Sequence, residues 1–215
     1  MNKTYISRDA HRRVKEYLET IGRDVQLVET EGVVDRRISN HPDVWLCKMG
    51  VGDDAPVYLA SEEDLGMDYP AHAAYNAACT GKYFIHNLSI TAPALLEIAK
   101  DMGMTFIDIP QGYGKCSIAI VDEDSIITYD NGIVRACEPY PDLNVLLIQP
   151  GNIKLFGFDT GFIGGTCGRV GNEIIFNGAL DKHPDFAKIV DFIEDRGLAA
   201  RWFSEYPLTD IGSIL

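Results

Sequence analysis

The most reactive side chains of the sequence lie in a glycine-rich stretch, residues 108–117, which reads Asp-Ile-Pro-Gln-Gly-Tyr-Gly-Lys-Cys-Ser. Lys115 places a cation beside the thiol of Cys116, and a neighbouring cation lowers a thiol pKa and favours the nucleophilic thiolate. Glycines on both sides of Tyr113 let the backbone approach another group closely. The stretch therefore predicts one wall of a pocket, with Cys116 as its nucleophile. The usual burial of free cysteines favours the alternative, in which Cys116 is a small core residue.

A histidine and two carboxylates could serve the same pocket. His41 and Asp43 are two positions apart, so they project to the same side of an extended chain. They could be a general base with its partner or two metal ligands, but one pair is only half a metal site, and structural capping is favoured. Asp210 and Ser213 are candidates for ligand binding late in the sequence, and Asn87 is another, with turn formation as its default role. Neither a metal nor a cofactor is expected.

Glycine is also dense over residues 157–168, where Gly165 and Thr166 could offer backbone N–H groups to an anion. Cys167 is a second thiol in this stretch, and Asp159 is a further polar candidate for ligand binding. The spacing matches neither a P-loop nor a dinucleotide-binding fingerprint, so nucleotide binding is not expected.

Composition argues against several classes of function. The 215 residues carry a formal net charge of −13, whereas binding to a nucleic-acid backbone needs a basic surface. No apolar run reaches the roughly 18 residues that span a bilayer, and the first residues lack the apolar core of a secretion signal. Five cysteines without a Cys-x-x-Cys pair are typical of reduced thiols. The sequence therefore predicts a cytoplasmic protein with a small-molecule ligand, without nucleic acid or membrane as partners, and leaves a homo-oligomer open.

The elements that would position these residues are short. Two apolar runs around the acidic turn at residues 122–124 predict a β-hairpin, and the continuous apolar run 145–148 predicts a strand covered on both faces. Helical periodicity and end signals mark the helices, and apolar runs between turn residues mark the strands. The predicted helices are 8–21, 69–79, 92–102, 131–140 and 184–196, and the predicted strands are 25–28, 44–49, 83–86, 104–109, 118–121, 125–130, 145–148, 152–156, 173–178 and 202–203.

One unit recurs in this order of elements: a hairpin, a helix and a strand. Cys116 and Cys167 open the two clearest copies at matching points. Repetition of such a unit predicts a ring or propeller-like array in which distant residues share one central site. An open α/β sheet shows the same alternation and is equally compatible. Residues 1–215 are predicted to form one domain, in which residues 51–81 are an insertion.

Four segments carry a family resemblance: residues 111–117, residues 161–165, the segment from 181–188 onward, and residues 210–213. The segment from 181–188 onward resembles the penteins, which include the amidinotransferases, dimethylarginine dimethylaminohydrolase and arginine deiminase. The other three segments resemble more closely an uncharacterised bacterial pentein-like family. The resemblance implies an α/β propeller of repeated ββαβ units around a pseudo-symmetry axis. It also implies that the first and last segments of the chain are joined in one unit.

The catalytic triad of those enzymes is not carried over to the matching positions. Where the resemblance places an acid, a general-base histidine and a nucleophilic cysteine, this sequence has Asn40, Tyr113-Gly114 and the cysteine-free segment 211–213. Only Asp43 agrees with the family pattern around the acid. The inherited thiol mechanism is therefore not expected.

The first functional hypothesis is a pentein-like protein with a central polar pocket. It would bind, and as an enzyme hydrolyse at a C–N bond, a small guanidino, amidino or other cationic metabolite. The residues expected to receive the cation are Asp43, Asp159 and Asp210, and the groups available for chemistry are Lys115, Cys116, His41 and Ser213.

Two alternatives stay open at this point. The missing triad favours a non-catalytic binding module. A metal-dependent hydrolase using His41, Asp43 and His86 is the weakest of the three hypotheses.

Overall fold

The computed structural model describes residues 2–215, and Met1, the first residue of the predicted domain, lies outside them. The chain forms five small sheets of two or three strands with short helices between them, so the fold is mixed α/β. The described residues do not form one continuous open sheet, which was the alternative arrangement. The strands are β1 Lys3–Ser7, β2 Asp24–Val28, β3 Leu46–Lys48, β4 Val57–Leu59, β5 Ala78–Cys79, β6 Tyr83–His86, β7 Thr105–Asp108, β8 Ala119–Asp122, β9 Ser125–Thr128, β10 Asn144–Leu147, β11 Cys167–Val170, β12 Glu173–Phe176 and β13 Ala199–Arg201. The helices are α1 Arg12–Thr20, α2 Pro42–Trp45, α3 Pro93–Asp101, α4 Gly114–Ser117, α5 Asn131–Cys137 and α6 Phe186–Glu194.

Three of the sheets repeat one ββαβ unit. They consist of β5, β6 and β7, of β8, β9 and β10, and of β11, β12 and β13. In each sheet the first two strands pair antiparallel, and the third lies parallel to the second after a crossover helix, α3, α5 or α6. This is the hairpin, helix and strand unit expected from the sequence, and it occurs three times.

The other two sheets have two strands each. β3 and β4 pair antiparallel, so residues 57–59, inside the segment predicted to be an insertion, form a hairpin with residues 46–48. β1 and β2 pair parallel and are connected by α1. Leu215 extends this sheet, because its backbone exchanges two hydrogen bonds with Tyr5, at 2.8 and 3.0 Å. The first and last described segments therefore share one unit.

The helix predicted at residues 184–196 forms as expected, because its apolar face packs into a hydrophobic core. α6 buries Ile189 and Ile193, and Phe186 packs edge-on against Trp202 with 5.0 Å between ring centroids. The helix ends before Gly197, whose φ of 72° is the left-handed conformation that glycine adopts at helix ends.

Three elements differ from the prediction. The first helix begins at Arg12 instead of residue 8, because Ser7 is still paired in β1. The alanine-rich run 69–79 contains a single 3-10 turn and then β5, since pairing with β6 overrides its helix propensity. The run 145–148 lies in an edge strand where Leu147 is 44% exposed, so it is not covered on both faces.

Apolar side chains are buried between each sheet and its helix. Phe84 packs with Leu95 in the first ββαβ unit, Ile126 with Ile133 in the second, and Phe176 among the core residues of the third. Each such side chain stabilises the fold by about 1.5–3 kcal/mol relative to its exposed state. None of the helices within residues 2–215 is long and apolar enough to cross a membrane.

Five short turns pack together. One precedes the first strand of each ββαβ sheet, one precedes β3, and one precedes the terminal segment at Leu215. They are α2, residues 74–77, α4, the 3-10 turn Gly164–Thr166, and residues 210–213. Backbone hydrogen bonds join them: Lys115 N donates to Asn76 O at 2.8 Å, and Asp43 N donates to Gly212 O at 3.0 Å. Side chains from five separate parts of the chain are thereby brought to one place.

Candidate active site

The carboxylate of Asp43 lies at the centre of this meeting point. Its side chain is fully buried, and Oδ2 accepts hydrogen bonds from the thiol of Cys116 at 3.0 Å and from Ser213 Oγ at 2.6 Å. The other oxygen, Oδ1, has no hydrogen-bond partner among the described residues. An unpaired buried acceptor costs about 1–3 kcal/mol, so this oxygen is a destabilised atom at the centre of the network.

Lys115 and Ser213 complete a polar network around this carboxylate. Lys115 Nζ donates to Ser213 Oγ at 3.0 Å and to the carbonyl oxygen of Gly164 at 3.3 Å. Ser213 has a φ of 74°, a left-handed conformation that non-glycine residues rarely adopt. The strained backbone directs its hydroxyl toward Asp43 and Lys115, and strain of this kind is concentrated at functional sites.

Asn76 anchors the thiol from the neighbouring unit. Its Nδ2 donates to the carbonyl oxygen of Asp43 at 2.9 Å and lies 3.3 Å from the Cys116 sulfur, while its Oδ1 accepts from Cys116 N at 3.1 Å. The sequence reasoning missed this residue. Its one signal is that an asparagine interrupts the alanine-rich run 71–79.

His41 connects the network to a second carboxylate. One ligand atom each of His41, Asp43 and Cys116 lies within 4.8 Å of the others, and His41 Nδ1 is 3.9 Å from Asp210 Oδ1. The carboxylate of Asp210 also accepts hydrogen bonds from Phe162 N at 2.9 Å and from Gly212 N in its own turn. The imidazole of His41 is therefore close both to the thiol of Cys116 and to the carboxylate of Asp210.

Burial controls the charges of these groups. It raises the pKa of Asp210 to about 6 even though two backbone N–H groups donate to the carboxylate, and it lowers the pKa of His41. The pKa of Cys116 lies well above its usual range, first because of burial and then because the carboxylates of Asp43 and Asp210 are near. The resting thiol is thus a neutral hydrogen-bond donor. Lys115, which is expected to activate this thiol, does not hydrogen-bond to it; its Nζ donates to Ser213 Oγ and to Gly164 O.

A cavity of about 200 Å³ lies beside these groups. Its polar wall carries Cys116, His41 and Asp210, and the rest is mainly apolar and aromatic. Tyr113 and Phe162 form part of the aromatic wall with 6.1 Å between their ring centroids. The other residues around it are Ile38, Val44, Leu155, Phe158 and Thr160. The cavity fits a small ligand with a polar head and an apolar body.

Residues 5–215 match the family of unknown function DUF6873, which is almost the whole chain. The chain belongs to that family. A comparison with curated proteins finds no match.

Among solved structures, the DUF6873 chain is similar to the crystal structure of a dimethylarginine dimethylaminohydrolase adduct with 4-chloro-2-hydroxymethylpyridine. The TM-score is 0.55 at 11% sequence identity, and the similarity covers 94% of this chain and 92% of the other. The fold is therefore related to the pentein fold of that protein.

The glycine pair of the DUF6873 chain at residues 164–165 allows the close packing that builds the site. A Cβ on Gly165 would lie 2.0 Å from Asp210 Oδ1, and a Cβ on Gly164 would lie 2.3 Å from the carbonyl oxygen of Lys115. Only glycine fits at both positions. Gly165 therefore shapes the floor of the site by contact with Asp210.

Several other predicted site residues do not hydrogen-bond to this cluster. Asn87 accepts hydrogen bonds from Ser89 in an exposed turn, and Asp159 is exposed in the loop 157–161. The hydroxyl of Thr166 and the thiol of Cys167 both donate to Ile163 O, and Cys167 belongs to an apolar core, where burial raises its pKa to about 11.

One arrangement of metal-ligating atoms occurs in the described residues, and it differs from the predicted set. It consists of His41, Asp43 and Cys116, all buried. His86 is not part of it, because its two ring nitrogens are engaged with Thr91 Oγ1 and with Gly112 O, both at 2.8 Å. Burial lowers the pKa of His86 to about 4, as expected for a neutral structural imidazole.

Proposed function

We propose that the 200 Å³ cavity is the substrate site of a thiol-dependent hydrolase that acts on a C–N bond of a small guanidino or amidino metabolite. Cys116 is the nucleophile, His41 is the general base and acid, and Asp210 orients the imidazole. One observation carries the proposal: Cys116, His41 and Asp210 line the same cavity, with the imidazole within 4.8 Å of the thiol.

The proposed architecture is a single-domain pentein-like propeller, with five sheets around one axis. Three ββαβ repeats, the pairing of Tyr5 with Leu215, and the likeness to a pentein structure over 94% of the chain support it. In this arrangement the catalytic groups come from the inner turns, and none of them occupies the position that the family triad would predict.

The charges of the site favour a cationic substrate. Asp210 is at the cavity wall, Asp43 is hydrogen-bonded to the nucleophile, and aromatic faces that attract cations lie opposite. Burial, and then the same carboxylates, raise the pKa of the Cys116 thiol and hold it in its neutral form. A guanidinium or amidinium bound between them supplies the opposite charge that lowers the thiol pKa, so the nucleophile ionises only when substrate is present.

The reaction then follows ordinary thiol chemistry. His41 takes the proton of Cys116 as the sulfur forms a bond to the amidino carbon. The C–N bond breaks, and the amine leaves with the proton from His41. Water, deprotonated by His41, attacks the carbon of the resulting S-amidino intermediate. The C–S bond breaks, the product leaves, and the thiolate takes the proton from His41 to restore the thiol. Lys115, Ser213 and Asn76 hold Asp43 and the thiol in place, which makes them positioning residues.

Amine release from a panel of guanidino and amidino compounds tests the proposal. Cys116→Ser keeps a donor to Asp43 but removes the nucleophile, so turnover is expected to fall by about 10³-fold or more. Cys167→Ser is the matched control, because Cys167 is also a buried thiol but lies in β11 and does not line the cavity. Full activity in Cys116→Ser, with both variants folded, rules out the thiol mechanism.

A second function, ligand binding without turnover, is favoured by the raised pKa of the Cys116 thiol. In that case a cationic ligand raises Tm, as any ligand of the native state does, but no amine is released. Wild-type protein that shows the Tm shift and releases no amine from the same ligand identifies the binding module.

A further inference from the structure

A second, narrower cavity lies on the other side of Lys115. It has a volume of about 30 Å³ and is bordered by the first strands of three ββαβ sheets, by β3 and by the last residues of the chain. Its wall includes Leu46 and Lys48 of β3, Cys79 of β5, Ile120 of β8, Gly168 and Arg169 of β11, and Ile214 with Leu215. This volume holds a group of the size of one or two water molecules.

Three cationic side chains line this cavity, from strand β3, helix α4 and strand β11. They are Lys48, Lys115 and Arg169. Arg169 donates only to the carbonyl oxygens of Val121 and Gly171, at 3.2 Å each, and to no carboxylate among residues 2–215. Within the same described residues, Lys48 has neither a hydrogen bond nor an ion pair from its ammonium group.

The nearby carboxylate does not balance these charges. Asp53 is engaged by Arg23 Nη1 at 2.7 Å and by Gly171 N at 3.2 Å. Burial lowers the pKa of Lys48, and the carboxylate of Asp53 opposes this effect. The neighbouring cations lower the pKa further; they are Arg23, Lys115 and Arg169. A local excess of positive charge is therefore held inside a chain whose net charge is −13.

We propose that this cavity binds a small monovalent anion, a halide or a single carboxylate group, between Lys48, Lys115 and Arg169. Lys48 and Arg169 are cations without a carboxylate partner, and an anion is the missing counter-charge. The volume excludes a nucleotide or a sugar phosphate. This cavity shares no lining residue with the cavity beside Cys116. Lys115 contacts both sites, through its donors to Ser213 and Gly164, but the anion site does not depend on the function proposed for the other cavity.

Melting measurements at constant ionic strength test the site in solution. Replacing the bulky anion gluconate by chloride or formate is expected to raise the Tm of the wild-type chain by about 3–5 °C at ten times the dissociation constant. Lys48→Met removes one cation and should abolish this response. Lys182→Met is the matched control, because the Lys182 side chain is 76% exposed, and it should keep the wild-type response. Response to chloride alone indicates a halide site, and response to formate as well indicates a carboxylate site.

Anomalous diffraction from crystals soaked in bromide shows where the anion binds. An anomalous peak between Lys48, Lys115 and Arg169 is expected in the wild-type protein and should be absent from Lys48→Met. Bromide peaks only at the exposed surface, or an equal chloride response in wild type and Lys48→Met, overturn the proposal.

Discussion

Asp210 should make the folded state less stable as pH rises from about 4 to 6. The residue is 3% exposed, and burial raises its pKa to about 6 from the ordinary value of 3.8. The folded protein therefore binds this proton more tightly than the unfolded chain does. The resulting contribution favours folding at low pH and is lost as the proton leaves the folded state. Integrated between the two pKa values, the free energy of unfolding decreases by about 3 kcal/mol in total. About 2 kcal/mol of this decrease occurs between pH 4.5 and 7.5.

Urea unfolding of the wild type and of Asp210→Asn at pH 4.5 and at pH 7.5 isolates this contribution. Asparagine cannot ionise, and the other groups of the protein titrate in both chains, so their effects cancel in the difference. The free energy of unfolding of the wild type, relative to the variant, should fall by about 2 kcal/mol between the two pH values. Asp159→Asn, which removes an exposed carboxyl, is the matched control.

Identical pH dependence of the free energy of unfolding in wild type and Asp210→Asn would refute this contribution of Asp210. That result would mean that the carboxyl is solvated in the folded protein, and the closed packing around Gly165 would then be wrong as well. A relative change of opposite sign would mean that hydrogen bonds from Phe162 N and Gly212 N outweigh burial.

Two further substitutions test the packing that builds the site. Gly168→Ala should destabilise the fold by about 3 kcal/mol or more, because the new Cβ would lie 1.7 Å from the carbonyl oxygen of Ile214. An unchanged midpoint of urea unfolding would contradict this close contact. Ser213→Ala removes the donor to Asp43 and the acceptor for Lys115, so the free energy of unfolding should fall by about 2–3 kcal/mol in urea titration. A loss below about 0.5 kcal/mol would show that water replaces the hydroxyl.

Local patterns were sufficient to predict the repeated unit. The hairpin around residues 122–124, the helix over 186–194 and the recurrence of the unit all follow from turn residues and apolar periodicity. The run 69–79 could not be predicted in the same way, because its short strand exists through pairing with β6, and single-sequence propensity does not contain that partner.

In the candidate site, too, some residues could be predicted from the sequence and others could not. Cys116, His41, Asp43, Asp210 and Ser213 were selected by chemical type and by position in the repeats, and the structure brings them into one cluster. The residues that were not selected take part through tertiary packing alone. Asn76 and Phe162 are the examples: Asn76 is marked only by interrupting an alanine-rich run, and the local sequence does not show that it contacts the thiol or that Phe162 lines the cavity.

The pairing of Tyr5 with Leu215 joins two segments that are far apart in the chain and are therefore synthesised at different times. A nascent chain emerges from the ribosome N-terminus first, so β1 and β2 appear early and keep an unpaired edge until residue 215 follows. Asp210 and Ser213 arrive in the same late segment. A chain still being translated therefore presents an exposed strand edge that needs protection from aggregation, yet it contains no assembled reactive centre.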